Sequence, residues 1–364
     1  MDGTAALILS HGPLIIPART ARHARSSPRM KFSLSSRFVT LRCITALVGG
    51  MVLLACSSAF AEAKPFTLPA GIKMEKDLAY IPDGDEAQKL DLYLPETVAD
   101  NPLPLIVHIH GGGWRGGSKF PCPVALMVLK GYAVASVEYR FSQKAIFPAQ
   151  IQDCQAAIRW LRAHSAQYNF DTKHLGVVGG SAGGHLSALV GTAGGKHAFP
   201  MIGGYDDQSD RVEAVCDIFG PADFSTVVQQ AAEDKNVKNI FAFNTPSDPY
   251  SLLIGTRLDD KPKADDVSPV HYISKDNPPF LILHGTHDTL VPFAQSEEFA
   301  AALKEHGVEV WLQKIPGAGH GGGAFGKPAV IQLMQNFFDK YLKGADVKIE
   351  LVPEGDLAVK PAVK

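Results

Sequence analysis

From Pro104 to Ile109 the chain is apolar at nearly every position, the pattern of a strand buried on both faces of a parallel sheet. Comparable apolar runs return at Tyr132–Tyr139, His174–Val178, Val212–Phe219, Pro279–Leu283 and Val308–Ile315. Runs compatible with helix lie between and after them. Val124–Lys130 is stopped by Gly131, and Phe293–His306 is broken at Gly307. Phe147–Asn169 carries Ile151, Ala157, Ile158 and Leu161 at helical spacing, with Pro148 in its first turn, and Ala329–Leu342 is amphipathic. Ahead of all these, Met74–Ile81 and Lys89–Leu94 alternate around the polar turn Pro82–Ala87. That predicts an antiparallel hairpin at a sheet edge. The alternation of strand and helix predicts one α/β domain on a mostly parallel sheet flanked by helices, spanning residues 62–343.

Two stretches break this rhythm. Between residues 224 and 272, helical pieces (Thr226–Glu233, Tyr250–Ile254) mix with Asn, Asp, Pro and aromatic residues, Phe241, Phe243 and Tyr250 among them. An insertion of this kind predicts a small cap over the cleft, with most of its aromatics packing the cap itself. Residues 344–364 have the pattern of a loose C-terminal tail.

Composition changes the picture mainly at the N-terminus. The chain holds 364 residues, 46% hydrophobic and 20% charged, with a formal net charge of −2. Residues 1–61 carry seven basic groups and one acid; removing them from totals of 35 and 37 leaves 28 basic against 36 acidic. A body with that acidic excess is poorly suited to nucleic acid or anionic membranes. The basic segment from Lys31 to Arg42, the short apolar run Ile44–Ala55 and the Ala59-Phe60-Ala61 site have the layout of a secretory signal peptide. The apolar run is too short for a membrane span. Leu53-Leu54-Ala55-Cys56 resembles a lipobox, which would place a lipid anchor at Cys56. Periplasmic or extracellular location is the expectation. Of the cysteines beyond the leader, Cys122, Cys154 and Cys216, export permits a pair to bridge, yet buried thiols fit equally well.

The candidate chemistry sits where predicted strands end. Gly179-Gly180-Ser181-Ala182-Gly183 follows a strand and precedes a helix, the layout of a turn that lifts a serine hydroxyl clear of a sheet. His110-Gly111-Gly112-Gly113 follows the strand at Ile109, and its glycines leave backbone N–H groups open to a cleft. Gly112 and Gly113, with Ala182, are the expected oxyanion donors. His284-Gly285-Thr286-His287-Asp288 and Gly319-His320-Gly321 follow the last two strands. In this order Ser181 is the expected nucleophile, His320 the base and Asp288 the residue that orients it. Asp223, Asp265 and Asp266 compete for the acid, and His284, His287 and His306 for the base, but they lack those positions. His284, His287 and Asp288 crowd one turn without a distant fourth ligand, so no metal is expected, and the mechanism implies no cofactor. Trp114 and Tyr139 are candidates to line the cleft. His185, and the charges Arg140, Asp153 and Arg159, fit structural roles better than catalytic ones.

Taken together, these four motifs resemble the α/β-hydrolase esterases of the hormone-sensitive-lipase-like type, and especially the bacterial branch called BD-FAE. Val137-Glu138-Tyr139-Arg140, Phe147-Pro148-Ala149 and Asp171 are similar to that branch as well. The resemblance runs from about Lys89 to Leu342. It implies the α/β-hydrolase fold, hydrolysis of short-acyl or aryl esters, and the same triad and oxyanion donors. Glu138 departs from the Asp that many hormone-sensitive-lipase-like enzymes carry before Tyr-Arg. With an export signal, acetyl or feruloyl esters on plant polysaccharide are the implied substrates. Kynurenine formamidases share an H-G-G-x-W segment, which makes amide cleavage an alternative. A non-catalytic binding protein on the same fold is a third reading, whose mark would be a lost triad residue.

Overall fold

Eight strands form one sheet in the order β1-β2-β4-β3-β5-β6-β7-β8. They are β1 (Ile72–Ala79), β2 (Lys89–Pro95), β3 (Leu103–Ile109), β4 (Ala133–Val137), β5 (Phe170–Gly180), β6 (Ala214–Ile218), β7 (Phe280–Gly285) and β8 (Val310–Ile315). The computed structural model describes residues 67–238 and 243–359, all within the compact unit Lys64–Lys364. The leader, Cys56 and Phe241 lie outside the described residues. Strands β3 to β8 are mutually parallel, while β2 is antiparallel to both β1 and β4. Two antiparallel steps restore the direction, so β1 runs with the parallel strands. Ile72 therefore enters at the amino edge of the sheet, opposite the edge where β5, β7 and β8 end.

Alternation along each strand sends side chains to two apolar layers. Val107, Ile109, Val177, Val215 and Ile282 face a layer with helices α1 (Ala149–Ala163), α3 (Ala182–Ala193) and α7 (Phe293–Glu305). Ile106, Val178, Cys216 and Leu283 face the other, with a 3₁₀ turn at Ala125–Lys130 and helix α8 (Pro328–Lys343). Val330, Leu333, Met334, Phe337, Phe338 and Leu342 make the buried stripe of α8. Each such side chain contributes about 1.5–3 kcal/mol on leaving water. Gly176 lets α8 come this close, since a Cβ there would stand 2.7 Å from the Phe338 ring.

Several expectations are corrected in detail. The Phe147–Asn169 run splits into α1 and a short α2 (Ser165–Tyr168), which Asn169 ends at φ 59°. The insertion forms α4 (Val227–Glu233), α5 (Pro249–Ile254), α6 (Lys261–Val267) and a 3₁₀ turn at Pro269–Tyr272. The C-terminal residues do not hang loose. Ile349 and Leu357 are buried, α9 (Glu354–Leu357) forms, and Gln313 of β8 exchanges two hydrogen bonds with the Val352 backbone. Arg140 and Asp153 pair through several contacts as short as 2.8 Å, but Arg159 turns away, donating to the Ile202 carbonyl. Cys122, Cys154 and Cys216 are buried free thiols. Among the described residues, no helix is long and apolar enough to cross a membrane.

Candidate active site

β5 hands the chain to α3 through Ser181, whose backbone is held at φ 58°, ψ −123°. A non-glycine residue rarely sits in this region, and doing so costs of order 1–3 kcal/mol. The surroundings enforce it. A Cβ at Gly183 would stand 2.0 Å from the Ile109 carbonyl oxygen, and one at Gly179 would stand 2.3 Å from that of Gly183. The Ser181 N–H donates to the Ile218 carbonyl at 2.9 Å, tying the turn to β6. The result is a serine hydroxyl at the carboxyl edge of the sheet, with the N-terminus of α3 behind it.

His320 comes to this hydroxyl from the loop after β8, and Asp288 from the turn after β7. Ser181 Oγ lies 2.8 Å from His320 Nε2, and His320 Nδ1 lies 2.6 Å from Asp288 Oδ2. A carboxylate only accepts, so Nδ1 carries the ring proton and Nε2 presents its lone pair to the serine hydroxyl. Asp288 is buried, and its other oxygen accepts from the Leu290 and Val291 N–H groups at 2.8 and 3.0 Å. Burial pushes its carboxyl upward, but hydrogen bonds from His284 and His320 outweigh that and hold it well below the usual carboxylate range. It stays ionised near neutral pH. The Phe219 ring lies 4.5 Å from that of His320 and backs it.

The glycine loop after β3 is equally constrained. Gly112 and Gly113 sit at φ 119° and 60°, and a Cβ on Gly112 would be 2.0 Å from the Gly116 carbonyl oxygen. Among the described residues, neither of their N–H groups donates to a protein acceptor. Ala182, the first residue of α3, adds an N–H at the positive end of the helix dipole.

Other candidates have moved. Tyr139 does not line the cleft. It is fully buried, stacks on His110 at 4.5 Å and donates to the His110 carbonyl at 3.0 Å, bracing the glycine loop from behind. Trp114 touches the cleft but is 2% exposed. Its ring packs among His185, Phe224 and Tyr250, and its Nε1 donates to His185 Nδ1 at 3.1 Å. His185 in turn donates from Nε2 to the Val267 carbonyl, and burial pushes its pKa down to about 4, which keeps it neutral. His287 is on the surface beside Thr286.

Two partnerships were not anticipated. His284 is fully buried, donates from Nε2 to Asp288 Oδ2 at 3.1 Å and accepts from Ser296 at Nδ1. Asp288 therefore serves two imidazoles. Its four-residue spacing from His284 was the available signal. Glu138 faces His110 Nε2 at 2.6 Å and accepts from the Lys119 N–H, while His110 Nδ1 faces the Gly111 carbonyl at 2.7 Å. Both ring nitrogens thus meet acceptor oxygens. Glu138, the departure from Asp, clamps the base of the glycine loop.

Below α3, Asp217 of β6 is buried. One oxygen accepts from the Gly220 N–H at 2.9 Å and the other has no protein partner. Burial pushes its pKa up to about 7.

Comparison with known proteins decides the family. The BD-FAE profile matches residues 90–303. The chain belongs to the BD-FAE family. Among curated relatives, the esterase LipQ of Mycobacterium tuberculosis is 30% identical over 249 residues, 67% of this chain and 56% of that protein. The chain spans little more than half the length of the mycobacterial relatives LipQ, LipC and LipM. A solved truncated carbohydrate esterase from gut microbiota is 32% identical, with TM-score 0.67 over 74% of this chain and 96% of that one. A bifunctional GH43-CE protein of Bacteroides eggerthii is 34% identical, with TM-score 0.66 over 74% and 35%. This BD-FAE chain therefore has an α/β-hydrolase fold.

Proposed function

We propose that the protein is an exported serine carboxylesterase acting on short-acyl or aryl esters, with acetyl or feruloyl esters of plant polysaccharide as its substrates. The hydrogen-bond chain from Ser181 through His320 to Asp288, with Gly112 and Gly113 lining the same cleft, carries this reading. In it, Ser181 Oγ attacks the ester carbonyl while His320 Nε2 takes the hydroxyl proton. Asp288 stabilises the imidazolium that results. The carbonyl oxygen becomes an oxyanion among the backbone donors, each worth about 3 kcal/mol. Collapse expels the alcohol, which leaves with the proton from His320. Water then repeats the sequence on the acyl-enzyme, releasing the acid and restoring Ser181.

Relatives named as esterases support the reaction class, and the solved carbohydrate esterases support the polysaccharide side of the reading. Export is supported by the leader pattern of residues 30–61. A panel of p-nitrophenyl acetate, longer p-nitrophenyl esters, methyl ferulate, acetylated xylan fragments and N-formylkynurenine tests the proposal, with Ser181→Ala beside the wild type. Ester turnover that vanishes in the variant is the expected result. Turnover of the formamide alone would replace it with an amidase.

A further inference from the structure

The hydrogen bonds that start at Ser181 do not end at Asp288. His284 of β7 places Nε2 3.1 Å from Asp288 Oδ2, and its Nδ1 lies 2.7 Å from Ser296 Oγ of α7. The run is therefore Ser181–His320–Asp288–His284–Ser296, with an imidazole and a hydroxyl on either side of one carboxylate. The two halves differ in access. His284 is fully buried and Ser296 is 1% exposed, so the far hydroxyl is closed to substrate and cannot act as a second nucleophile. A chamber of about 770 Å³ beside Ser181 is lined by residues from His108 to Met334, and neither His284 nor Ser296 is among them.

Asp288 has no accepting capacity left over. Oδ1 accepts from the Leu290 and Val291 N–H groups, and Oδ2 accepts from both His320 Nδ1 and His284 Nε2. Those donors fill the roughly four lone-pair sites of a carboxylate. The two rings compete for Oδ2. A hydrogen bond to the charged form stabilises it, so the His284 N–H makes Oδ2 a weaker base than it would be with one imidazole. Other ionisable groups nearby leave that balance alone. Burial and the Asp288 charge push Tyr250 of α5 well above its ordinary value, so it stays a neutral phenol. Lys314 of β8 stands beyond the Phe293 ring and is paired with Glu297, and His287 is on the surface beside Thr286. The rings of Phe219 and Phe293 flank His284 at 6.3 and 5.3 Å.

We propose that His284 is a positioning residue for the hydrolysis, which fixes Asp288 from behind and limits how tightly that carboxylate holds the protonated His320. An imidazolium held too tightly is slow to return its proton to the leaving alcohol. This rests on the esterase reading above and adds to it a residue that touches neither the substrate nor the reacting atoms. With the His284 donor removed, Oδ2 is left to His320 alone. His320 then becomes harder to deprotonate, and the acidic limb of the pH–rate profile moves to higher pH. A role confined to filling the core would lower stability and leave that limb in place.

The test follows kcat/KM on p-nitrophenyl acetate against pH for the full chain as wild type, His284→Met and His284→Gln. Methionine fills the space with a flexible apolar chain and offers no N–H, whereas glutamine keeps a donor. The acidic limb is expected to rise by about 0.5–1 pH unit in His284→Met and to stay within about 0.3 unit of wild type in His284→Gln. The position of a limb is independent of the folded fraction. If His284→Met does not fold, nitrogen NMR of the histidine rings in the wild type decides. There Nε2 of His284, assigned by its loss in His284→Gln, should carry its proton on both sides of the limb. An unmoved limb in His284→Met, an equal shift in His284→Gln, or a lone pair at Nε2 would overturn the assignment and leave the esterase reading standing. No turnover of any ester by the wild type would overturn both.

Discussion

Ser181, Asp288 and His320 are fixed by backbone, whereas the chamber behind them is walled by side chains from segments as distant as His108 and Met334. At the elbow, glycines at 179 and 183 leave no space for a Cβ, and two backbone N–H groups pin one Asp288 oxygen. Of the chamber's wall residues, Val178, Ile218 and Met334 sit in regular strand or helix, whereas Phe219 is held at φ 47°. On the proposed reading, the reacting groups are fixed by backbone, while side chains from several elements wall the space around the substrate.

The strongest way to break that contrast is to remove the proposed nucleophile. Ser181→Ala is expected to lower kcat on p-nitrophenyl acetate by about 10⁵- to 10⁶-fold, with an unchanged circular dichroism spectrum. Asp288→Asn should follow at roughly 10⁴-fold, because an amide does not enforce the His320 tautomer. A smaller loss would show that Asp288 is not what fixes that tautomer. Gly183→Ala probes the backbone itself. With its Cβ 2.0 Å from the Ile109 carbonyl oxygen, a loss of about 3 kcal/mol or more in urea denaturation is expected.

A pH-dependent effect concerns Asp217, where the elbow helix meets the core. Its folded pKa of about 7 lies above the ordinary 3.8. The folded protein holds a proton there that the unfolded chain has already released. The associated stability is fully present below about pH 4 and lost as pH rises through about 7. Asp217→Asn should therefore gain on wild type by on the order of 4 kcal/mol between pH 4 and pH 8. Parallel denaturation curves at the two pH values measure it, and a constant difference would refute the shift.

The same contrast governs what could be read before the structure. Apolar runs gave each parallel strand to within a few residues, because burial on both faces leaves a dense signal. Ser181, His320, Asp288, Gly112 and Gly113 stand together because each follows a strand end marked by glycine. Tyr139 was misplaced since sequence does not say whether a residue beside the glycine loop stands before or behind it. The tail's docking on β8 rests on Ile349, Leu357 and the Gln313–Val352 bonds, too sparse a pattern to stand out. The His110–Glu138 clamp joins residues on different strands, and nothing local announces it.

The antiparallel hairpin at the sheet margin has a practical consequence. Because β1 runs with the parallel strands, the chain arrives at Ile72 on the side of the sheet facing away from Ser181. A tag, bead or surface attached through the segment before Ile72 joins the domain on its back. A domain held at Ile72 keeps the sheet edge that carries Ser181 turned toward the solution.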